Sequence, residues 1–290
     1  MARVKLTEYD AKRLLFPSLQ QVFTGFSASV TTTASELTQH FPNTNLVVKV
    51  DQGVKKRGKL GLVQVNCTPA QVVMAIKKWS RAGWAHFLVE PVVEHAESVE
   101  HYLALERVRA GWQLSFSAHG GIEVESHWDQ VKTTLLSDDP TLQTIPLTPL
   151  LQAMEKYHLV FLECNPVLLR GGKLIPLDMA AEIDDTALGL PDLATLHLNP
   201  VEDRDRSPVE RAIAQLDAAT PASLKFRLIN PNGSIWMLLS GGGASLVLAD
   251  EVADQGMGSQ LANYGEYSGA PSDDDVYAYT KIILATMLQA

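Results

Sequence analysis

The chain has 290 residues, of which 46% are apolar and 20% charged, and a net charge of −9. That balance excludes a disordered chain and a long coiled coil, and the acidic surface argues against a general affinity for nucleic acid. Cys67 and Cys164 stand far apart without metal-ligand spacing, which excludes a disulfide scaffold or a zinc module. No apolar run is long enough to cross a bilayer and the first ten residues lack the apolar core of a signal peptide, so a cytoplasmic protein with no membrane partner is expected. The length favours two domains.

In chain order, Asn45 to Val50 is a β-branched run that reads as a strand, Gly53 to Gly61 as a basic, glycine-punctuated turn, and Leu62 to Asn66 as the returning strand. Lys55, Lys56, Arg57 and Lys59 crowd into that turn on an otherwise acidic chain. Thr68-Pro69 starts a helix with Val72, Val73, Ile76 and Trp79 on its apolar face, ending near Gly83. Phe87 to Val93 reads as a strand interrupted by Pro91, which suggests an edge or a hinge, and Tyr102 to Val108 and Trp112 to Phe116 read as two more strands. Ser126 to Leu150 is a polar, proline-containing segment. Leu159 to Glu163 and Lys173 to Asp178 form a hairpin-like pair around Gly171-Gly172.

Three prolines between Leu190 and Pro208 mark a linker, with a helix from Val209 to Leu216 after it. Ser234 to Ser240 reads as a buried strand running into Gly241-Gly-Gly-Ala-Ser245 and a helix, the first β-α step of a doubly wound domain. A final helix from Ser272 to Leu288 is capped by Ser272 and carries Asp273, Asp274 and Asp275 in its first turn.

Phosphoryl transfer from ATP needs cations along the phosphates, hard oxygens for magnesium and an apolar slot for adenine. Lys49 and the Lys55-Lys56-Arg57-Gly58 turn suit the first requirement, although such a turn by itself is equally a solvated one. Glu163-Cys-Asn165-Pro and Asp178 suit the second, although Asn-Pro also forms structural turns. The proline at position 91 leaves strand backbone groups for a purine edge, or only marks an edge strand. No GxxxxGK[ST] and no correctly placed GxGxxG is present, so P-loop and dinucleotide folds are disfavoured.

Taken together, Asn45-Leu-Val-Val-Lys49, Lys55 to Val63, Phe87 to Val93, His119-Gly-Gly-Ile-Glu123, Leu162 to Pro166 and Pro176-Leu-Asp178 resemble the ATP-grasp half of ATP-citrate lyase. Ala222 to Lys225, Asn230 to Gly233, Gly241 to Ser245 and above all Leu261 to Ser272 are similar to that family's citryl-CoA synthetase-type domain. The resemblance implies an α/β chain, with an ATP-grasp domain over 1–200 and the start of a doubly wound, flavodoxin-like CoA-ligase-type domain over 201–290. It implies ATP contacts at Lys49, Arg57, Gly58, Pro91, Val93, Glu100 and Asp178, and magnesium at Asn165 and Asp178. Citrate contacts are implied at Ser268 and Gly269, and a second metal-binding turn at Asp217, Thr220 and Ala222.

The Gly241 to Gly243 run fits a backbone nest for an anion or a tight strand-to-helix turn. ATP, citrate and coenzyme A are the expected substrates, and the family's phosphohistidine is expected in a completing chain. No histidine here matches it, and His119 is assigned a structural role on an expected strand. Two departures stand out: Val50 occupies a common proline position, and the chain stops at Ala290 before the second domain is complete. A succinate-CoA ligase β-like subunit and a non-catalytic ATP-grasp module are the alternatives.

Overall fold

Short β-branched runs become strands and capped apolar stripes become helices in a computed structural model that describes residues 3–137, 147–201 and 207–289. The chain divides into two units, Met1–Glu202 and Asp203–Ala290. The 138–146 part of the polar, proline-containing segment and the 202–206 part of the expected linker lie outside the described residues.

The first unit contains, in order, β1 (Arg3–Lys5), α1 (Glu8–Leu15), β2 (Phe26–Ala28), α2 (Ala34–His40), β3 (Leu46–Val50), β4 (Val63–Cys67), α3 (Pro69–Arg81), β5 (Phe87–Pro91), β6 (Glu100–Val108) and β7 (Gly111–Ser117). It continues through β8 (Lys132–Leu135), α4 (Thr148–Lys156), β9 (Leu159–Arg170), β10 (Lys173–Pro176), β11 (Met179–Asp184) and α5 (Pro191–Ala194). Two antiparallel sheets result. A four-stranded one runs β2-β5-β3-β4, and a seven-stranded one runs β1-β11-β9-β6-β7-β8 with β10 also on β9.

α3 starts as its sequence dictates. The Thr68 hydroxyl accepts from Gln71 N–H while the Gln71 side chain accepts from Thr68 N–H, a reciprocal cap, with Pro69 in the first turn. Its buried face, Val72, Ala75, Ile76 and Trp79, closes the smaller sheet over Leu46, Val48, Val50 and Phe87. The larger sheet packs on α1 and α4 through Leu14, Leu15, Leu150 and Met154 against Leu103, Leu105, Leu162 and Ile183.

Three expectations need correction, and one stretch without an assigned element gains a strand. β5 is an interior strand, because Pro91 falls at its last paired position, opposite Leu46, where the missing N–H costs the ladder little. The segment after Leu190 is only partly a linker: Leu193 enters the core, Leu196 and Leu198 pack beside it, Asn199 donates to Asp10 Oδ2, and Val201 N–H to Lys5 O. Those apolar residues anchor the chain without any regular period. His119 is in a loop after β7, not on a strand, since Gly120 N–H turns back to Glu100 O and a Cβ at Gly120 would overlap the His101 backbone. The run Lys132–Leu135, inside the polar segment to which the sequence assigns no element, forms the edge strand β8 on β7.

The second unit holds α6 (Pro208–Ala219), β12 (Ser223–Leu228), β13 (Leu239–Ser240), α7 (Gly242–Val252), β14 (Asn263–Ser268) and α8 (Asp273–Met287). The sheet order is β12-β14-β13, with β12 antiparallel and β13 parallel to β14. The expected β-α step is present as β13-α7, and β14 completes it as a parallel β-α-β unit, while the antiparallel β12 makes this a mixed sheet rather than a purely parallel one. Val209 and Ile213 of α6, Leu224 of β12, and Tyr279 and Ile283 of α8 form its core.

The strand expected over Ser234 to Ser240 shrinks to two residues because Asn263 replaces the ladder upstream. Its amide oxygen accepts from Met237 N–H at 2.8 Å and its amide nitrogen donates to Met237 O at 2.9 Å, from a fully buried position.

Candidate functional site

The hairpin β3–β4 brings its basic turn against the point where β9 changes partner. Residues Val167–Arg170 of β9 pair with β10, and Leu159–Cys164 with β11. Between the two ladders the Asn165–Pro166 bond, which is cis, faces Leu177 and Asp178. Asn165 N–H donates to Asp178 O, and Leu177 N–H to Pro166 O. This break presents one amide side chain, one carboxylate and the Leu177 carbonyl together.

Arg57 reaches it from the turn. Its Nη1 donates to Val50 O, and its Nη2 to both Glu8 Oε2 and Asp178 Oδ1. Lys49, at the end of β3, donates to Glu8 Oε1 at 2.7 Å and to the Leu177 carbonyl, and lies 3.2 Å from Glu90 Oε2. Gly58 is exposed beside the buried Arg57. The structure thus brings Lys49, Arg57, Gly58 and Asp178, four of the residues at which ATP contacts are expected, to one place.

It missed half of the cluster. Lys12 of α1 donates to both Glu90 oxygens and to Leu177 O, and pairs with Glu8 at 2.7 Å. Asp51 receives the Glu8 and Tyr9 N–H groups and so satisfies the start of α1 from outside the helix. The signal existed: Glu90 interrupts an apolar strand, and Glu8 and Lys12 sit at i, i+4 on the face that also carries Ala11 and Leu15.

Three buried cations, Lys12, Lys49 and Arg57, therefore meet three carboxylates, Glu8, Glu90 and Asp178. Burial opposes ionisation of Glu8, but Lys12, Lys49 and Arg57 outweigh it and hold its carboxyl well below the usual range. Burial likewise opposes the charges on Lys49 and Arg57, and the surrounding carboxylates raise both above their ordinary values. Asp51 goes the other way, pushed up to about 6 by burial and then by the neighbouring Glu8 charge, with the two backbone donors only partly offsetting this.

Because that value lies above the unfolded one, the stabilisation from protonated Asp51 is full below about pH 4 and is lost as pH rises through about 6. Asp51→Asn is expected to gain stability relative to the parent as pH rises from 4.5 to 7. Urea melts at the two pH values check this, and an unchanged difference contradicts it.

A second group adjoins the first. Gly121 N–H donates to Asn165 Oδ1 at 2.7 Å, and the Glu100 carboxylate lies against Gly121, where a Cβ would collide with it. His95 links Glu100 Oε1 at 2.8 Å to the Val93 carbonyl at 2.7 Å. Burial lowers the His95 pKa, but the Val93 and Glu100 acceptors outweigh it and raise it overall. Val93, Glu100 and Asn165 are thus linked through His95 and Gly121, while Pro91 ends the strand that carries Glu90.

In the second unit Asp217 Oδ1 accepts from Leu224 N–H and Oδ2 from Lys225 Nζ, both at 2.7 Å. The Thr220 hydroxyl donates to Asp275 Oδ2 and accepts from Ala222 N–H. Ser268 ends β14 opposite Ser223, and Gly269 follows with φ of 73° beside Ala222.

A family model described as ATP citrate lyase citrate-binding matches residues 204–290. The ATP-citrate synthase alpha chain protein 2 of Oryza sativa subsp. japonica is 38% identical over 98% of this chain and 76% of its own length. The ATP-citrate synthase of Homo sapiens is 33% identical over 99% of this chain and 30% of its own length. The structure of ATP citrate lyase from Methanothrix soehngenii in complex with citrate and coenzyme A matches all of this chain and 78% of that one, with a TM-score of 0.59 and 28% identity. With the identity to the Oryza protein extending over nearly the whole chain, the protein belongs to the ATP-citrate lyase family of ATP-citrate synthases.

Proposed function

We propose that this chain supplies the Mg-ATP site and part of the citrate site of an ATP-citrate lyase, with residues 1–200 acting as an ATP-grasp domain and 201–290 as part of a citryl-CoA synthetase-type domain. The observation that carries the reading is the meeting of Arg57 with Asp178, and of Lys49 with the neighbouring Leu177 carbonyl, at the break in β9. A cationic turn and a hard-oxygen segment, far apart in sequence, share one polar site.

In this reading Lys49, Arg57 and Gly58 hold the phosphates, Arg57 through its planar fork and Gly58 by letting backbone approach closely. Glu8 keeps both cations, and Glu90 keeps Lys49, charged and aligned until a phosphate chain takes part of their place. Backbone groups at Pro91 and Val93 border the adenine, and Glu100, steadied by His95, accepts from the ribose hydroxyls.

Asn165 Oδ1 and the Asp178 carboxylate are hard oxygens on adjacent backbone, which suits magnesium completed by water and phosphate oxygens. Bound there, magnesium would neutralise charge on the phosphates. Asp217, Thr220 and Ala222 would form the second metal turn, with Asp217 paired to Lys225 as Asp178 is paired to Arg57, and no step is assigned to them.

Citrate is held in the second unit, near Ser268 and Gly269. A completing chain brings the phosphohistidine that carries phosphate to citrate, and coenzyme A captures the citryl phosphate, yielding acetyl-CoA and oxaloacetate after cleavage.

Titration with Mg-ADP tests the nucleotide half. Saturable binding that is lost when magnesium is chelated is expected, and no binding at millimolar nucleotide overturns the reading. With a completing chain added, ADP formation is expected to depend on citrate and not on succinate.

A further inference from the structure

Glu266, in the middle of β14, is 6% exposed, and its Oε2 is buried without a hydrogen-bond partner among the described residues. Lys225 lies directly across the ladder from it but turns its ammonium to Asp217 instead. The Glu266 carboxylate faces the first turn of α7, where a Cβ built on Gly242 would meet Oε2 at 2.6 Å.

That helix start is uncapped by any side chain, and Gly241 before it adopts φ of 87°. The ladder begins with Ser245 N–H donating to Gly241 O, so the N–H groups of Gly242, Gly243 and Ala244 precede it.

The two features ask for different chemistry from one ligand. A helix start with open N–H groups takes an oxyanion and disfavours a metal cation. An ionised carboxylate only accepts, so Glu266 needs a hydrogen from the ligand. A molecule with a hydroxyl on the carbon next to a carboxylate satisfies both. A plain dicarboxylate satisfies the first and leaves Glu266 buried and unpaired.

We infer that Glu266 is the specificity-determining residue of the citrate site, accepting the citrate hydroxyl hydrogen while the Gly242 to Ala244 N–H groups hold the neighbouring carboxylate. This rests on the proposed citrate site in the second unit and names the group there that reads the hydroxyl.

The test compares binding of citrate with that of propane-1,2,3-tricarboxylate, which is citrate without its hydroxyl, to the full chain by calorimetry. The parent is expected to prefer citrate by about 10- to 100-fold. Glu266→Met, which keeps length but accepts nothing, brings the two affinities within about threefold, and Glu266→Gln, which retains one acceptor oxygen, restores part of the preference.

If the parent binds no citrate, the citrate site itself is wrong and the inference falls with it. If it binds citrate, the inference alone is overturned by equal affinity for the two ligands, or by a preference that survives in Glu266→Met. Thermal melts identify a variant that fails to fold, and Glu266→Gln then decides: an unreduced preference overturns the proposal.

Discussion

Replacing Arg57 with lysine is expected to weaken Mg-ADP binding by about 10- to 100-fold while leaving the chain folded. The guanidinium spans three partners at once, Val50 O, Glu8 Oε2 and Asp178 Oδ1, from a buried position. A lysine keeps the charge that Glu8 and Asp178 require, so the folding cost is limited. It loses the planar fork that can hold a carboxylate and a phosphate oxygen together. The binding loss should therefore exceed the stability loss by a wide margin, which calorimetry and urea melts on one preparation would show. Unchanged affinity in a folded Arg57→Lys protein would remove the basic turn from the phosphate path.

That this arginine could be singled out from sequence has a local reason. Strand, glycine-bounded turn and strand are contiguous, so Lys49 and Arg57 needed no long-range information to be placed at one hairpin end. The Thr68-Pro69-x-Gln71 signature fixed the start of α3 in the same way. Asn165 and Asp178 stood out because each follows a short, mostly apolar run that the sequence reads as a strand.

What stayed hidden depends on tertiary partners. α1 carries Glu8, Asp10 and Lys12 on buried positions, and a helix with such charges reads as solvated until Asp51, Lys49 and Glu90 are brought beside it. Asp10 is buried because Arg13 and Asn199 reach it, the latter 189 residues away. The shortening of β13 likewise required knowing that Asn263 would fold back onto Met237. The mixed pairing of β12 could not be read from composition, since Ser223–Leu228 alternates equally well for either direction.

The hidden glutamate gives the largest stability effect. Glu8→Gln is expected to cost about 3–5 kcal/mol of folding free energy, because it removes the one carboxylate shared by all three buried cations. Glu90, Asp178 and Asp51 remain, but none of them pairs with all three of Lys12, Lys49 and Arg57, so each cation loses its shared partner in a largely buried site. The loss of a favourable acid in the first turn of α1 adds only a few tenths of a kcal/mol to about 1 kcal/mol.

pH sets the window. The Glu8 carboxyl is held below its usual value, so its contribution is present above the unfolded pKa of about 4.3 and is lost as pH falls well below it. The variant's deficit should therefore be full at pH 7 and shrink in strong acid. Lys12→Met in the Glu8→Gln background should recover part of the loss by removing the excess charge, giving a coupling energy of about 1–3 kcal/mol in a double-mutant cycle.

Nucleotide should move in the opposite sense. Phosphates bring back the negative charge that Glu8 supplied, so Mg-ADP is expected to bind the folded Glu8→Gln chain more tightly than the parent and to raise its melting temperature by more. A variant that loses both stability and nucleotide affinity would make Glu8 part of the ADP grip, instead of the counter-charge that phosphate displaces.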